Sequence, residues 1–388
     1  MAEETFCTRH TAMIYDRGGT RRIGQLVKLS RVQWSRDRDS ISEAEVTIEG
    51  ASCAAQRPLL QKISTKRHEL VIYRGNNRVW EGPIYRIGDQ GSSITIAAKD
   101  VCVYLFGTAL TKVWDNSYGS TAGATEMTTR LGQIIAYELQ HDRTGRKVGG
   151  GTVAIPGWES LDPPVNLVPH LVVHHFPNEA RTSAKTDAFE MTVGEHLASS
   201  ARTSGIDFAA IGRAIHLWDT SRNIGQTRTL TEADFFGNVI TTEYGADHTQ
   251  GAYVVGQEGM YGEAINPDNL SFYGPWMSIY NAYNEEATAA PTQPELNGQA
   301  ARNLSGRSPA PVEVRVPDNS TIRLNESLRI TDLVPGARVP LLATLNARGR
   351  DQDQKLDHLR VLETGAEGET ISVTLTPATR IDSDVEED

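Results

Sequence analysis

The chain has 388 residues, 39% of them hydrophobic and 22% charged, with 34 Gly and 17 Pro. This is ordinary globular usage, so collagen, coiled coil and bulk disorder are excluded. Lys and Arg number 38 against 49 Asp and Glu, a net charge of −11, which argues against stable nucleic-acid binding because that wants a basic face. Cys7, Cys53 and Cys102 are odd in number and far apart, so they form neither a disulfide framework nor a zinc pattern. The start, Met-Ala-Glu-Glu-Thr-Phe, has no basic-then-apolar leader, and the longest near-apolar run, residues 101–110, is too short to span a membrane.

Residues 23–110 read as strands. Residues 23–32 alternate loosely; in 41–48, Ile41, Ala44, Val46 and Ile48 alternate more clearly. Residues 35–40, Ser-Arg-Asp-Arg-Asp-Ser, read as a charged loop between them. Gly75-Asn76-Asn77 and Asp89-Gln90-Gly91 mark two hairpins, because Gly and Asn tolerate the positive φ of tight turns. Residues 125–141 read as a helix with Met127, Leu131, Ile134, Ile135 and Leu139 on one stripe. A connection rich in Gly, Pro and His follows over 142–180. Thr192 and Glu195 match a capping box, Gly205 fits the end of that helix, and a hairpin turns at Gly212-Arg213. Residues 219–310 are mixed, with an aromatic-rich stretch over 258–283 and a short helix over 294–306. Strands return over 311–377.

The fold class is therefore mainly β with an α+β insertion: two small antiparallel β-barrel-like domains at the chain ends, with mixed α/β domains between. The expected units are 1–110, 111–218, 219–310 and 311–381, followed by an acidic tail over 382–388 in which five of seven residues are acidic. Residues 86–97 and 360–375 echo one another: Arg, apolar, acid, Gly turn, then alternating hydroxyl and apolar residues. The echo reads as one barrel repeated at each end.

Catalytic signatures are missing from the sequence. There is no phosphate loop, no dinucleotide-binding glycine pattern, no H-E-x-x-H and no G-x-S-x-G. His170, His174 and His175 have a spacing that places two on one face, but no acid or Cys stands at a convincing distance, so they read as a surface or interface cluster and no metal is expected. Glu190, Glu195, Asp207 and Asp219 offer carboxylates, but nothing pairs them, and Glu195 is explained by capping. No catalytic residue, cofactor or enzymatic activity is expected.

Two stretches read as assembly surfaces. The first is aromatic: Tyr261, Phe272, Tyr273, Trp276, Tyr280 and Tyr283 fall within 26 residues. It reads as a contact with another subunit or domain, with sugar stacking and ordinary core as rival readings. The second is 331–340. Pro335-Gly336 sets a turn, and the strand leaving it contains Pro340, which removes a ladder donor and marks an edge or bulge. Leu333, Pro335, Gly336, Arg338, Val339 and Pro340 are its candidate edge residues.

This layout resembles the baseplate hub, or tail-tip minor tail protein, of long-tailed, siphovirus-like actinobacterial phages. The resemblance rests on residues 24–100 with Glu69-Leu-Val-Ile-Tyr-Arg-Gly75 and Arg78-Val-Trp-Glu-Gly-Pro83, on the helix and hairpin over 192–218, and on Leu333-Val-Pro-Gly-Ala-Arg-Val339 followed by a final hairpin. It covers most of the chain. The resemblance implies a structural homotrimer at the virion tail tip, made in the host cytoplasm and adapting a six-fold tail tube to a three-fold tip. Its implied partners are other copies of itself, a distal tail ring protein, the C-terminus of a tape-measure protein, and separate tip, fibre or hydrolase proteins. The rival classes are a cell-wall or polysaccharide hydrolase on a β-rich scaffold and a carbohydrate-binding receptor protein.

Overall fold

The structure, a computed structural model, describes residues 6–114, 125–140, 147–148, 151–152, 170–176, 181–182, 186–237, 239–243, 245–246, 248–281, 293–304, 307–308, 310, 312–315, 321–343 and 350–378. The chain opens with strands β1 (His10–Asp16), β2 (Arg22–Leu26), β3 (Leu29–Asp37) and β4 (Glu43–Glu49). Two short helices follow, α1 (Ala51–Ala55) and α2 (Arg57–Leu60), then β5 (His68–Arg74), β6 (Asn77–Asp89) and β7 (Ser93–Lys99). Alternation of buried and half-buried positions along β1 and β7 shows one face of each strand turned to a core.

The middle of the chain holds α3 (Val103–Phe106), α4 (Met127–Gln140), β8 (Val172–His175), α5 (Val193–Ser204), β9 (Ile206–Ile211) and β10 (Ala214–Asp219). The capping box of α5 forms as read: Thr192 Oγ1 accepts from the Glu195 amide and Glu195 reaches back to the Thr192 amide. Gly205 closes the helix at φ 62. Then come β11 (Leu230–Thr231), β12 (Ile240–Glu243), β13 (Gly251–Val255), β14 (Tyr261–Ile265), α6 (Pro267–Tyr273), β15 (Met277–Asn281) and α7 (Gln293–Leu304). The chain finishes with β16 (Val312–Arg315), β17 (Arg338–Ala343), β18 (Arg350–Thr364) and β19 (Gly368–Pro377).

The mainly β class with α+β elements between the ends is as the sequence indicates. The barrels are not. Among the described residues no sheet closes; instead one 13-stranded sheet runs β12-β16-β19-β18-β3-β4-β7-β6-β5-β1-β2, with β17 beside β18 and β11 beside β17. The reason lies in β3. Its outer edge pairs antiparallel with β18, from His358 opposite Asp37 to Thr364 opposite Arg31. Each end thus covers the other's open edge instead of closing on itself. The two ends also share one core, in which Ile14, Trp34, Val46 and Ile96 pack with Leu328, Val339, Leu359 and Val373. Both echoing hairpins form, but in unlike positions, with β7 against β4 and β18 against β3. At Gly82, in the middle of β6, an added Cβ would stand 1.9 Å from the Lys99 carbonyl oxygen, so only Gly allows that crossing.

Two further cores follow. Leu105, Leu131, Ile134, Leu197, Phe208 and Leu217 form the middle one. A small third core has Ala252, Val254, Leu296 and Ala300, where α7 packs on one face of the sheet β14-β13-β15. Among the described residues no helix is long and apolar enough to cross a membrane.

Candidate assembly surfaces

Residues 35–40, expected as a charged loop, prove to be a buried junction. Arg36 belongs to β3. Its guanidinium donates to the carbonyls of Val79 (2.8 Å), Leu333 (3.0 Å) and Ile330 (3.2 Å), fixing β3 to β6 and to the loop after 328; burial lowers its pKa to about 10. Arg38 donates to Asp207 at 2.9 Å and to Asp357 at 2.6 Å. Lys355 donates to the other Asp207 oxygen at 3.1 Å and to the Thr220 carbonyl, and the Thr220 hydroxyl donates to Asp207 at 2.7 Å. Asp39 pairs with the Phe208 backbone through both its amide and its carboxyl. Two cations therefore face three carboxylates. Burial opposes ionisation of Asp207, but Arg38 and Lys355 outweigh it and hold its pKa low. Burial, and then the Asp207 charge, push the Asp39 pKa well up against the pull of Arg38, 3.6 Å away. This network joins the large sheet to the middle unit.

A second clamp lies at the tip of the β9–β10 hairpin. Arg213 donates to the fully buried Glu69 at 2.6 Å and lies 3.6 Å from Glu81, while the Tyr104 hydroxyl donates to Glu69 at 2.9 Å. Burial raises the Glu81 pKa against the pull of Arg78 and Arg213. A third clamp holds the chain ends together. Glu363 accepts from the amides of Thr8, Arg9 and His10 and from His10 Nδ1 at 2.7 Å, and Trp34 Nε1 donates to His10 Nε2 at 3.2 Å. Burial opposes the charge on Glu363, yet these donors hold its pKa at about 2. Each of these close carboxylate groups is tied to cations or amides at a seam between chain segments.

The second assembly stretch lies elsewhere than expected. Leu333, Gly336 and Val339 are buried in the shared core or against it, Pro335 is buried, and Arg338 and Pro340 are half-buried. β17 is not an open edge, because residues 224–231 take that side within the same chain. Leu230 and Thr231 pair with Leu341 and Leu342, and the amides of Ile224, Thr227 and Arg338 complete the ladder. Gly336 sits at φ +81, where an added Cβ would be 2.4 Å from the Trp218 ring.

The aromatic stretch, by contrast, faces outward. Tyr261, Phe272 and Trp276 are 52%, 81% and 60% exposed. Tyr273 is half-buried, with its ring 4.4 Å from that of His248; Tyr280 is half-buried, and its hydroxyl meets Arg307. Tyr283 lies outside the described residues. The register explains the exposure. Across β14-β13-β15, the face away from α7 reads Ile265, Gly251, Met277; then Glu263, Tyr253, Ile279; then Tyr261, Val255, Asn281. Ile279 is 75% exposed, and Val255, Ile265 and Met277 are exposed too. Among the described residues α7 covers one face of this sheet, and the other is exposed and largely apolar, with Glu263 on its edge strand β14.

His174 and His216 are cross-strand neighbours on β8 and β10 with ring centroids 5.0 Å apart; burial and then His174 lower the His216 pKa to about 4. His170 sits at φ 59, and His175 is exposed. Among the described residues no group of three or more His, Cys, Asp or Glu is placed to hold a metal ion. Most of the 142–180 connection lies outside the described residues.

No family model and no curated protein matches the sequence. Solved structures do match the fold. The 43 kDa tail protein of prophage MuSo2 from Shewanella oneidensis aligns with a TM-score of 0.58 at 12% identity, covering 97% of this chain and all of that one. A tail protein from Neisseria meningitidis MC58 aligns at 0.55 and 11% identity, over 95% of this chain and 97% of that one. A prophage tail protein from Listeria monocytogenes EGD-e aligns at 0.57 and 10% identity, over 94% of each. The chain thus has the fold of these tail proteins.

Proposed function

We propose that the chain is a structural, non-enzymatic component of a phage tail tip: a hub that forms a homotrimer and adapts a six-fold tube to a three-fold tip. The observation that carries the reading is the likeness to three tail proteins, which runs through almost the whole of each chain and so takes in all three cores. The open apolar face of β14-β13-β15 supports an assembly role, because contiguous exposed apolar surface on a chain marks a contact. In this reading the clamps at Asp207, Glu69 and Glu363 keep the units rigid, and the β13–β15 unit makes contacts outside the chain. The other partners are a distal tail ring protein, the end of a tape-measure protein, and separate tip, fibre or hydrolase proteins.

The test is to purify tail particles encoded with this chain and locate it with labelled antibody. The reading expects label at one tail end only. Label along the tube, on the capsid, or on no particle overturns it.

A further inference from the structure

The charges of this chain are unevenly placed. From Thr229 to Ala301 there is no Lys or Arg, and the part from Thr249 on contains six acids. Glu263 lies on the face that also carries Ile279, Met277 and Tyr261, and Asp268 and Phe272 are exposed on α6, the helix between β14 and β15. Any protein seated on that face meets an apolar centre with an acidic rim.

The opposite pattern lies near the start of the chain. Residues 17–36 and 50–68 contain no Asp or Glu but hold ten Lys and Arg. Arg21, Arg22, Lys28, Arg57, Lys62, Lys66 and Arg67 are exposed. The fold gathers the two stretches on one side. Gly24 of β2 packs on Leu59 of α2, the Gln56 side chain bonds both the amide and the carbonyl of Val27, and Arg21 and Arg67 both reach Asp16. Within this basic region lies a cleft of about 460 Å³ between α1–α2 and β6–β7. Cys53, Leu60, Ile63, Ile87 and Ile94 give it apolar walls; Arg57 and one acid, Asp89, also line it. It is a largely apolar slot with Arg57 and Asp89 on its walls, and the exposed Lys62 follows its lining residue Gln61 in the chain.

We propose that the acid-rimmed apolar face of the β13–β15 unit docks in this basic cleft on a second copy of the chain. The inference rests on the homotrimer reading and names the contact that builds it. The two surfaces are different patches of one chain, so the contact is heterologous and repeats head to tail until a ring closes. Apolar side chains such as Phe272 or Ile279 enter the slot, and Glu263 and Asp268 meet Arg57 and Lys62. Charge complementarity sets orientation and register, and the apolar centre supplies most of the binding. A self-complementary two-fold contact is disfavoured, because it would set acid against acid.

The experiment measures the mass of the full chain by light scattering after gel filtration, from 50 to 500 mM salt. It compares four proteins: the wild type, Arg57→Glu with Lys62→Glu, Glu263→Lys with Asp268→Lys, and all four changes together. Thermal melts matching the wild type establish that each is folded, as expected for exposed positions. The wild type should form a salt-weakened oligomer. Each two-residue reversal should weaken self-association by about tenfold or more, and the four-residue chain should recover it. Ile279→Ser should weaken it with no change of charge. An oligomer indifferent to either reversal overturns this contact and leaves the ring reading standing. A wild type that stays monomeric throughout overturns the contact as well, and the tail reading is then judged by labelled particles alone. Failure of the four-residue chain to recover, with its melt intact, also overturns it.

Discussion

Replacing Asp207 tests the junction that sets the middle unit on the sheet. Its carboxylate accepts from Arg38 at 2.9 Å, Lys355 at 3.1 Å and Thr220 at 2.7 Å, all buried. Asp207→Asn keeps the volume and the Thr220 bond, and removes the anion that two buried cations share. Breaking a buried pair in this way costs about 3–5 kcal/mol. Asp357 still holds Arg38 Nε, which places the loss near the lower end, roughly 3 kcal/mol. Adding Lys355→Met removes the stranded cation and should regain about half of that. Asp39→Asn should cost less, about 1 kcal/mol, because burial and Asp207 already work against a charge at Asp39 and Asn can still accept from the Phe208 amide. Equilibrium urea unfolding gives the free energies, and hydrogen exchange at the β9 and β10 amides reports whether the middle unit loosens first. Asp207→Asn within about 1 kcal/mol of wild type, or a cost at Asp39 equal to that at Asp207, would refute the charge assignment.

Gly336→Ala should cost about 3 kcal/mol in urea unfolding, since it adds a Cβ against Trp218 at a left-handed φ, whereas Gly75→Ala, with nothing within 4 Å, should cost only about 1 kcal/mol. Burial raises Asp100 to about 7 despite the Ser42 and Cys102 amides it accepts from. Its contribution to stability is therefore complete below about pH 4 and lost as pH rises through 7, and Asp100→Asn should flatten the fall in melting temperature over that range. Glu363, held at about 2, acts the other way: its contribution is complete above its ordinary value and lost as pH falls through 2, so Glu363→Gln should remove much of the acid unfolding limb below pH 4.5.

Local signals read well in this chain because their causes are local. Thr192, Glu195 and Gly205 mark their helix through bonds only a few residues long, and Gly75 and Gly212 mark hairpins through backbone freedom. The seams were invisible for the opposite reason. Arg38, Asp207 and Lys355 meet only after the sheet and the middle unit are in place, and nothing in the Ser-Arg-Asp-Arg-Asp-Ser loop announces that its arginines are buried. Pro340 does mark an edge-like strand, but the chain covers that edge with residues 224–231, a pairing more than 100 residues distant. The aromatic stretch was legible as density, yet its outward direction follows from the register of β13, β14 and β15.

The central claim is a three-fold ring at a tail tip, and a cryo-electron microscopy map of the tail end, refined without imposed symmetry, tests it most directly. The account predicts three copies of this chain around the axis, each placing its β13–β15 unit on the α1–α2 cleft of the next. Two or six copies, or copies that leave that apolar face open to solvent, would contradict it.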